Sequence, residues 1–416
     1  MRTCIHRGAK QIGGSCIEVE ADGKRLLLDL GLPLDAERNH VGLLPPLEGL
    51  LEPSDSLLGV VVSHPHMDHY GLLGHVRPDL PVVMGAAGRR ILEAAAPWMP
   101  KGNRTVPNPG KDLKHLRPMQ MGPFRITPYL VDHSAFDSYA LLIEADGRRL
   151  FYSGDFRAHG RTPWRFAHLV GQPPKAVNKL LMEGSSLGRL GMDEQFQTEA
   201  ELEEEMLKAI AGTQGIALVC ASAQNIDRIV TLLRLAKRAN RTLVIDLYTA
   251  AVLEATEHTK IPQSDWEGVS LYTPDDQVQK IKDKKWFELL DRHKKHRIFP
   301  NQLASKASKS VLLMRYAHQH DLVANNALKG ATIFYSMWAG YLKTKSGIAL
   351  QEWAATHGIP LEVLHTSGHA SPADLHRFVA AMNPDALVPV HTFQPERYAE
   401  LFPRVEMHGD GEWWDV

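Results

Sequence analysis

Residues 60–74 read VVVSHPHMDHYGLLG, and the order of residue types in that stretch decides the fold. Val60, Val61 and Val62 make the continuous β-branched run of a buried strand. His64, His66, Asp68 and His69 follow in the pattern H-x-H-x-D-H. Imidazole and carboxylate ligands suit zinc, manganese or iron, and the absence of thiolate speaks against a purely structural zinc site. At the end of a strand, alternate residues such as His64 and His66 share a face. Asp68 and His69 lie past the strand, where the chain turns. One pair does not easily serve the same ion as the other, so the spacing suggests two metals.

The rest of the chain is consistent with an enzyme of ordinary composition. Its 416 residues are too many for one core and predict two or three domains. Hydrophobic residues make up 44% and charged residues 23%, as in globular proteins. A net charge of −1 neither indicates nor excludes nucleic acid, because a basic patch can be local. Cys4, Cys16 and Cys220 form no C-x-x-C pair, so neither a thiolate zinc site nor a disulfide framework is indicated. The opening MRTCIHRGAKQIGG has no apolar signal core, and no apolar run reaches the length of a membrane span. The expectation is a cytoplasmic enzyme without a membrane partner.

Strands are predicted first around the hairpin signal Asp22-Gly23, then at GVVVSH, FRITPYLVDHS, YALLIEADGRRLFYSGD and KLLMEGSS. The last three end in polar residues: Asp132 and His133, Asp155, and Glu183. Strands that deliver such residues from their C-terminal ends to one place form an active-site layout. His133, Asp155 and His391 are the natural candidates to complete the metal ligands. After Glu183 the pattern becomes helical. Ile226, Ile229, Val230 and Leu233 share one helix face between the strands GIALVCAS and RTLVIDL, which reads as a βαβ unit. From about Leu361, strands again end in histidines. The expected organisation is therefore a second α/β domain over 190–346, inserted into a first domain made of 1–189 and 347–416. KIKDKKWFELLDRHKKHR reads as a solvated basic helix face, with part of a nucleic-acid groove as the alternative.

The sequence resembles the metallo-β-lactamase-fold hydrolases. Within them it is similar to the β-CASP nucleases, the group that includes RNase J and the cleavage-and-polyadenylation endonuclease. HPHMDH resembles the second motif of the fold, His133 in VDHS the third and Asp155 in YSGDF the fourth. Asp29 in LLLDLG resembles the first, whose aspartate orients the site without binding metal. Glu183 in LLMEGSS is similar to motif A, His369 in TSGHAS to motif B and His391 in VPVHT to motif C. ASAQNIDRIVTLL and FYSMWAGYL resemble segments of the inserted domain, so the resemblance covers essentially the whole chain.

The resemblance implies an αββα sandwich carrying an inserted α/β β-CASP domain. It implies one metal on His64, His66 and His133, a second on Asp68, His69 and His391, and Asp155 bridging them. The ions implied are two divalent cations, zinc first and manganese second. The activity implied is phosphodiester hydrolysis of RNA, endonucleolytic, 5′-exonucleolytic or both, through a hydroxide bridging the metals. Asp68 would hold that hydroxide, His369 would be the general acid and Glu183 would hold its ring. A histidine at motif C favours RNA over DNA. The alternatives are a DNA nuclease of the same fold and a non-catalytic RNA-binding subunit. A second copy of the chain is the other partner considered. With 25 residues after His391, the C-terminal extension of the longer RNase J pattern is expected to be missing. Ser367, Gly368, Ala370 and Ser371 are small residues around His369 where backbone N–H groups can approach phosphate. Ser222 and Asn225 precede a helix whose N-terminus is a further phosphate candidate, with a plain N-cap at Asn225 the equal reading.

Overall fold

The valine run is sorted by the parity of the strand. In the computed structural model, which describes residues 1–191 and 193–416, Leu57–Val61 is an inner strand of a seven-stranded sheet. Val61 enters a core shared with Leu26, Leu28, Leu141, Ile143 and Val388. Val60 and Val62 point to the other face, among Tyr70, Leu72, Val82 and Leu92. A strand covered on both faces carries apolar residues toward both, which is why the valine run does not alternate.

That sheet runs in the order Trp413–Asp415, Arg2–Arg7, Cys16–Ala21, Lys24–Leu28, Leu57–Val61, Val82–Gly85, Asp112–Leu113. A second sheet runs Ala386–Val390, Lys179–Glu183, Arg148–Tyr152, Tyr139–Ala145, Phe124–Leu130, Met119–Met121. Their inner faces make one core, and each outer face makes another. The first outer core includes helix Ala86–Ala95 through Leu92, and the second includes helices Pro163–Gly171 and Pro372–Met382 through Phe166, Leu375 and Phe378. The layers are therefore α, β, β, α, the sandwich that the resemblance implies. Leu57–Val61 runs parallel to Lys24–Leu28, and Lys179–Glu183 runs parallel to both Arg148–Tyr152 and Ala386–Val390. The segments that follow these strands carry Asp29, His64, Asp155 and His391, while Glu183 is the last residue of its strand.

The chain divides into two compact units, Met1–Phe196 with Gly368–Val416, and Gln197–Ser367. The division falls at 196/197 and 367/368 rather than at 189/190 and 346/347. The difference at the second boundary has a plain cause. Leu361–Val363 pairs in parallel with Thr332–Tyr335, so this strand closes the sheet of the second unit instead of rejoining the first.

The second unit is built on seven parallel strands, ordered Arg297–Ile298, Val269–Tyr272, Thr242–Ile245, Ser310–Leu313, Ala217–Cys220, Thr332–Tyr335, Leu361–Val363. Helix Ile226–Arg238 does link Ala217–Cys220 to a parallel strand, Thr242–Ile245. The two strands are not neighbours, because Ser310–Leu313 lies between them. Arg228 and Glu199, both fully buried, pair at 2.7 Å across this helix and Glu199–Gly212. Arg228 also donates to the carbonyl of Ser336 at 3.1 Å, which ties both helices to the end of a central strand. A buried ion without its partner would cost several kcal/mol, so the pair fixes this packing as a unit.

Candidate metal centre

Seven residues that follow four strands converge in the first unit. His64, His66 and His133 form one group of potential ligand atoms, and Asp68, His69, Asp155 and His391 form another. Asp155 is the shared centre. Its Oδ2 lies 3.6 Å from His64 Nε2, 3.2 Å from His69 Nε2, 3.6 Å from His391 Nε2 and 4.0 Å from His133 Nε2. His66 Nδ1 and His133 Nε2 face each other across 3.1 Å. Asp68 Oδ2 stands 3.7 Å from both His69 Nε2 and His391 Nε2.

The remaining ring nitrogens are held by the protein. Asp29 is buried in the left-handed region, with φ of 63°. Its Oδ1 accepts from the Ser63 amide at 2.7 Å, and its Oδ2 accepts from Ser63 Oγ, Tyr152 OH and His69 Nδ1 at 2.8, 2.7 and 2.7 Å. A proton fixed on His69 Nδ1 leaves the Nε2 lone pair for Asp155's side of the ring. His133 Nδ1 donates to the Gly368 carbonyl at 2.6 Å, with the same consequence. His391 Nδ1 lies 3.0 Å from Ser15 Oγ, and the Gly13 amide donates to the same nitrogen at 3.3 Å. His391 is itself left-handed, with φ of 52°, and its amide donates to Gly8 at 2.8 Å. Strained backbone at two site residues is the pattern expected where geometry is over-determined for function.

The atoms left over test whether a metal fits. His64 Nε2, His69 Nε2, His391 Nε2 and both carboxylate oxygens of Asp155 are buried without a hydrogen-bond partner. A buried polar atom left unpaired costs roughly 1–3 kcal/mol, and five of them around one carboxylate are not a packing accident. Imidazole and carboxylate are the donor set of zinc and manganese sites, so these residues fit divalent cations. Burial pushes His64, His133 and His391 below the usual imidazole pKa and His66 down to about 4. These rings are thus held in the neutral form that binds metal. Burial acts the same way on His69, but Asp155, Asp29 and Asp68 outweigh it and hold that ring positive; a bound cation would supply the charge in place of the proton.

Glu183 and His369 stand beside this cluster. His369 Nδ1 lies 3.1 Å from Glu183 Oε2 and 3.7 Å from Asp155 Oδ2. Glu183 is buried, and its carboxylate also accepts from the amides of Phe156 and Ser185 at 3.4 and 3.1 Å. Burial works against the His369 imidazolium, but the Glu183 and Asp155 carboxylates prevail and raise its pKa to about 9. The ring is therefore protonated at neutral pH and can give up a proton. Asp155, Glu183 and His369 also lie close enough to form a third ligand group.

The small residues around His369 divide. Gly368 contributes its carbonyl to His133, and a Cβ there would stand 2.5 Å from Ser134 Oγ. Ala370 is part of an outer core with Phe378 and Leu387, which removes its side chain from any ligand. Ser371 is fully buried as the N-cap of Pro372–Met382, accepting from Asp374 N at 3.2 Å, so its hydroxyl is not available to phosphate. Ser367, Ser222 and Asn225 belong to the second unit. There Asn225 caps Ile226–Arg238 by accepting from Arg228 N at 3.1 Å, and Ser222 Oγ accepts from Gln224 N at 3.2 Å. Sequence reasoning passed over Ser15, Ser63 and Tyr152, which orient the ligands. The one signal for Ser63 is its place immediately before the motif. Gly31 was also passed over: a Cβ on it would come within 1.7 Å of the Asp68 carbonyl.

Asp29→Asn keeps the shape and loses the charge that holds His69 in register. It should lower zinc affinity by roughly 10–100-fold, measured by metal titration. Its one remaining oxygen serves either the Ser63 amide or the Ser63 and Tyr152 hydroxyls, so a lower Tm should accompany the loss of metal.

A sequence model described as the metallo-beta-lactamase superfamily matches residues 10–181. Over 420 aligned residues the chain is 22% identical to "Ribonuclease J" of Helicobacter pylori strain B128, covering 92% of this chain and 55% of that protein. Over 404 residues it is 25% identical to "Ribonuclease J" of Synechocystis, covering 92% and 59%. The chain thus spans a little over half the length of these relatives. A crystal structure of a protein of unknown function from Enterococcus faecalis V583 superposes with a TM-score of 0.79, at 20% identity and 99% coverage of both chains. Likeness at that identity speaks for the shared fold.

Proposed function

For this metallo-β-lactamase-fold protein of the RNase J-like β-CASP group, we propose the function of a ribonuclease that hydrolyses phosphodiester bonds with two divalent cations. The observation that carries the reading is Asp155, whose two unpartnered oxygens lie between the two ligand groups, with the Glu183–His369 pair against the same carboxylate. Two divalent ions held there would supply Lewis acidity toward phosphoryl oxygens and draw the pKa of water toward neutrality.

The chain's own residues do the rest. His64, His66 and His133 would hold one ion, Asp68, His69 and His391 the other, and Asp155 both. Asp68 keeps part of its side chain accessible, at 17% exposure, so it is the ligand positioned to orient the attacking water as well. Glu183 binds the Nδ1 proton of His369, which leaves Nε2 as the atom that gives a proton to the departing 3′-oxygen. In the first unit the backbone around Gly368 remains the proposed phosphate contact. RNA is favoured over DNA by the names of the relatives that match over 92% of this chain. Zinc is the first choice of ion, with manganese second. The proposed setting is cytoplasmic; no described helix is long and apolar enough to cross a membrane.

The test is a product assay on single-stranded RNA labelled at one end, offered with a 5′-phosphate or a 5′-hydroxyl, beside a matched DNA. The reading expects RNA to be cut with zinc or manganese into fragments ending in 5′-phosphate and 3′-hydroxyl, and no cutting in chelator. Ladders signify endonucleolytic action, and single nucleotides with 5′-phosphate preference signify 5′-exonucleolytic action. Faster cutting of DNA would move the reading to the DNA alternative. No cutting of either under any metal would leave only the binding subunit.

A further inference from the structure

Residues 280–309 hold ten lysines and arginines against three aspartates and glutamates, a net +7 by count. The whole chain carries −1, so the other 386 residues carry −8 between them. The charge is concentrated in space as well as in sequence. The segment is not the single basic helix its sequence suggested. Asp275–Lys284 ends at Lys285, which is left-handed with φ of 56°, and a short helix Phe287–His293 and turns follow. These elements flank Arg297–Ile298, the edge strand of the second unit's sheet, which pairs only with Val269–Tyr272. Lys306 and Lys309 follow it in the next helical turns.

Five of these lysines, Lys282, Lys284, Lys285, Lys306 and Lys309, are exposed and make no ion pair among the described residues. By contrast Lys294, Arg292 and Lys280 are matched to Asp291, Glu254 and Asp276. Two large apolar rings stand among the unmatched charges, Phe287 at 53% and Phe299 at 49% exposure. The Arg297 guanidinium lies 5.1 Å over the Phe299 ring and also donates to Thr273 Oγ1 at 2.7 Å, which holds that ring at the sheet edge.

We propose that this edge of the second unit is an RNA-binding surface separate from the metal centre, gripping single-stranded RNA by its phosphates and stacking its bases. Unmatched lysines release condensed counterions when they meet a phosphate backbone. Exposed aromatic rings between them offer base stacking without sequence preference. The positive patch on an otherwise negative chain steers a polyanion to this edge. The inference rests on the ribonuclease reading for the identity of the polyanion. The competing role is protection of the sheet edge, since lysines beside an edge strand deter strand-to-strand aggregation.

The test replaces the five lysines together by glutamine in the full chain. Binding of a fluorescent single-stranded RNA of about thirty nucleotides is followed by anisotropy in chelator, so that nothing is cut. The surface predicts that affinity near 0.1 M salt falls about tenfold or more, and that log K against log salt becomes shallower by about 0.7 for each lysine that meets a phosphate. A five-arginine version should retain binding. With metal present, KM for the long RNA should rise while turnover of a dinucleotide holds. Phe287→Ala with Phe299→Ala should weaken binding and leave the salt slope unchanged. Unchanged affinity and slope in the glutamine variant would overturn the proposal. So would loss of binding to phosphatidylserine vesicles with RNA binding intact, or aggregation of a variant whose monomer binds RNA as before. A wild-type protein that binds RNA with the steep slope but cuts none would instead overturn the ribonuclease reading and support this surface.

Discussion

Asp155→Asn should reduce RNA cleavage by roughly a thousandfold or more, the equivalent of several kcal/mol at the transition state. Five histidines turn a ring nitrogen to Asp155 Oδ2 within 4.0 Å, and neither of its oxygens has a hydrogen-bond partner. Burial alone would raise its pKa, but His391, His69 and His369 outweigh burial and hold it ionised. An amide of the same shape carries no charge to balance two cations and presents an N–H to one of them. The variant should therefore fold and lose metal. The check is the rise in Tm on adding zinc to stripped protein, because a ligand that binds only the native state stabilises it. Wild type should show a large rise and Asp155→Asn little. An equal rise in both, with activity retained, would remove Asp155 from the centre of the site.

The second large effect belongs to His369. Loss of a general acid costs about 10²–10⁴ in rate, and the loss depends on the leaving group. His369→Ala should be severely impaired on RNA, whose leaving alkoxide needs a proton, and nearly normal on a nitrophenyl phosphodiester, whose leaving group does not. Glu183→Gln separates the acid from the residue that positions it. The acid must be protonated to work, and Glu183 is the main influence holding the His369 pKa up at about 9. Removing that carboxylate lowers the pKa, so the falling alkaline limb of kcat should move to lower pH while the rate at acid pH is better preserved. An alkaline limb that stays in place in Glu183→Gln would show that His369 is not the titrating group.

The sandwich was legible because the residues that build it repeat a physical pattern. Val60, Val61 and Val62 announce a strand buried on both faces, and Asp132-His133, Asp155 and Glu183 each follow an apolar run. Ligand residues are legible because histidine and aspartate at strand ends have few other reasons to cluster. Their supports are not. Ser15, Ser63 and Tyr152 are ordinary polar residues whose role comes from meeting His391 and Asp29 through the tertiary structure, 376 and 123 residues apart in the Ser15–His391 and Tyr152–Asp29 contacts. Ser371 looked like part of a phosphate cradle, yet local geometry makes it a helix cap, since a serine before Pro372 is placed to satisfy the first turn. Strand order in the second unit was hidden for the same reason as the domain boundary. Nothing in RTLVIDL or LEVLH says which strand will lie beside it, and Ser310–Leu313 takes the place between two strands that are consecutive in the chain.

The central claim is that two cations, held by the histidines around Asp155, are required for cutting RNA. Chelator-stripped protein titrated with zinc, with bound metal and single-stranded RNA cleavage measured on the same samples, tests it most directly. Cleavage should stay near zero through the first equivalent and rise with the second, reaching its plateau at two zinc ions per chain. Full cleavage at one equivalent, or cleavage by the stripped protein in excess chelator, would contradict it.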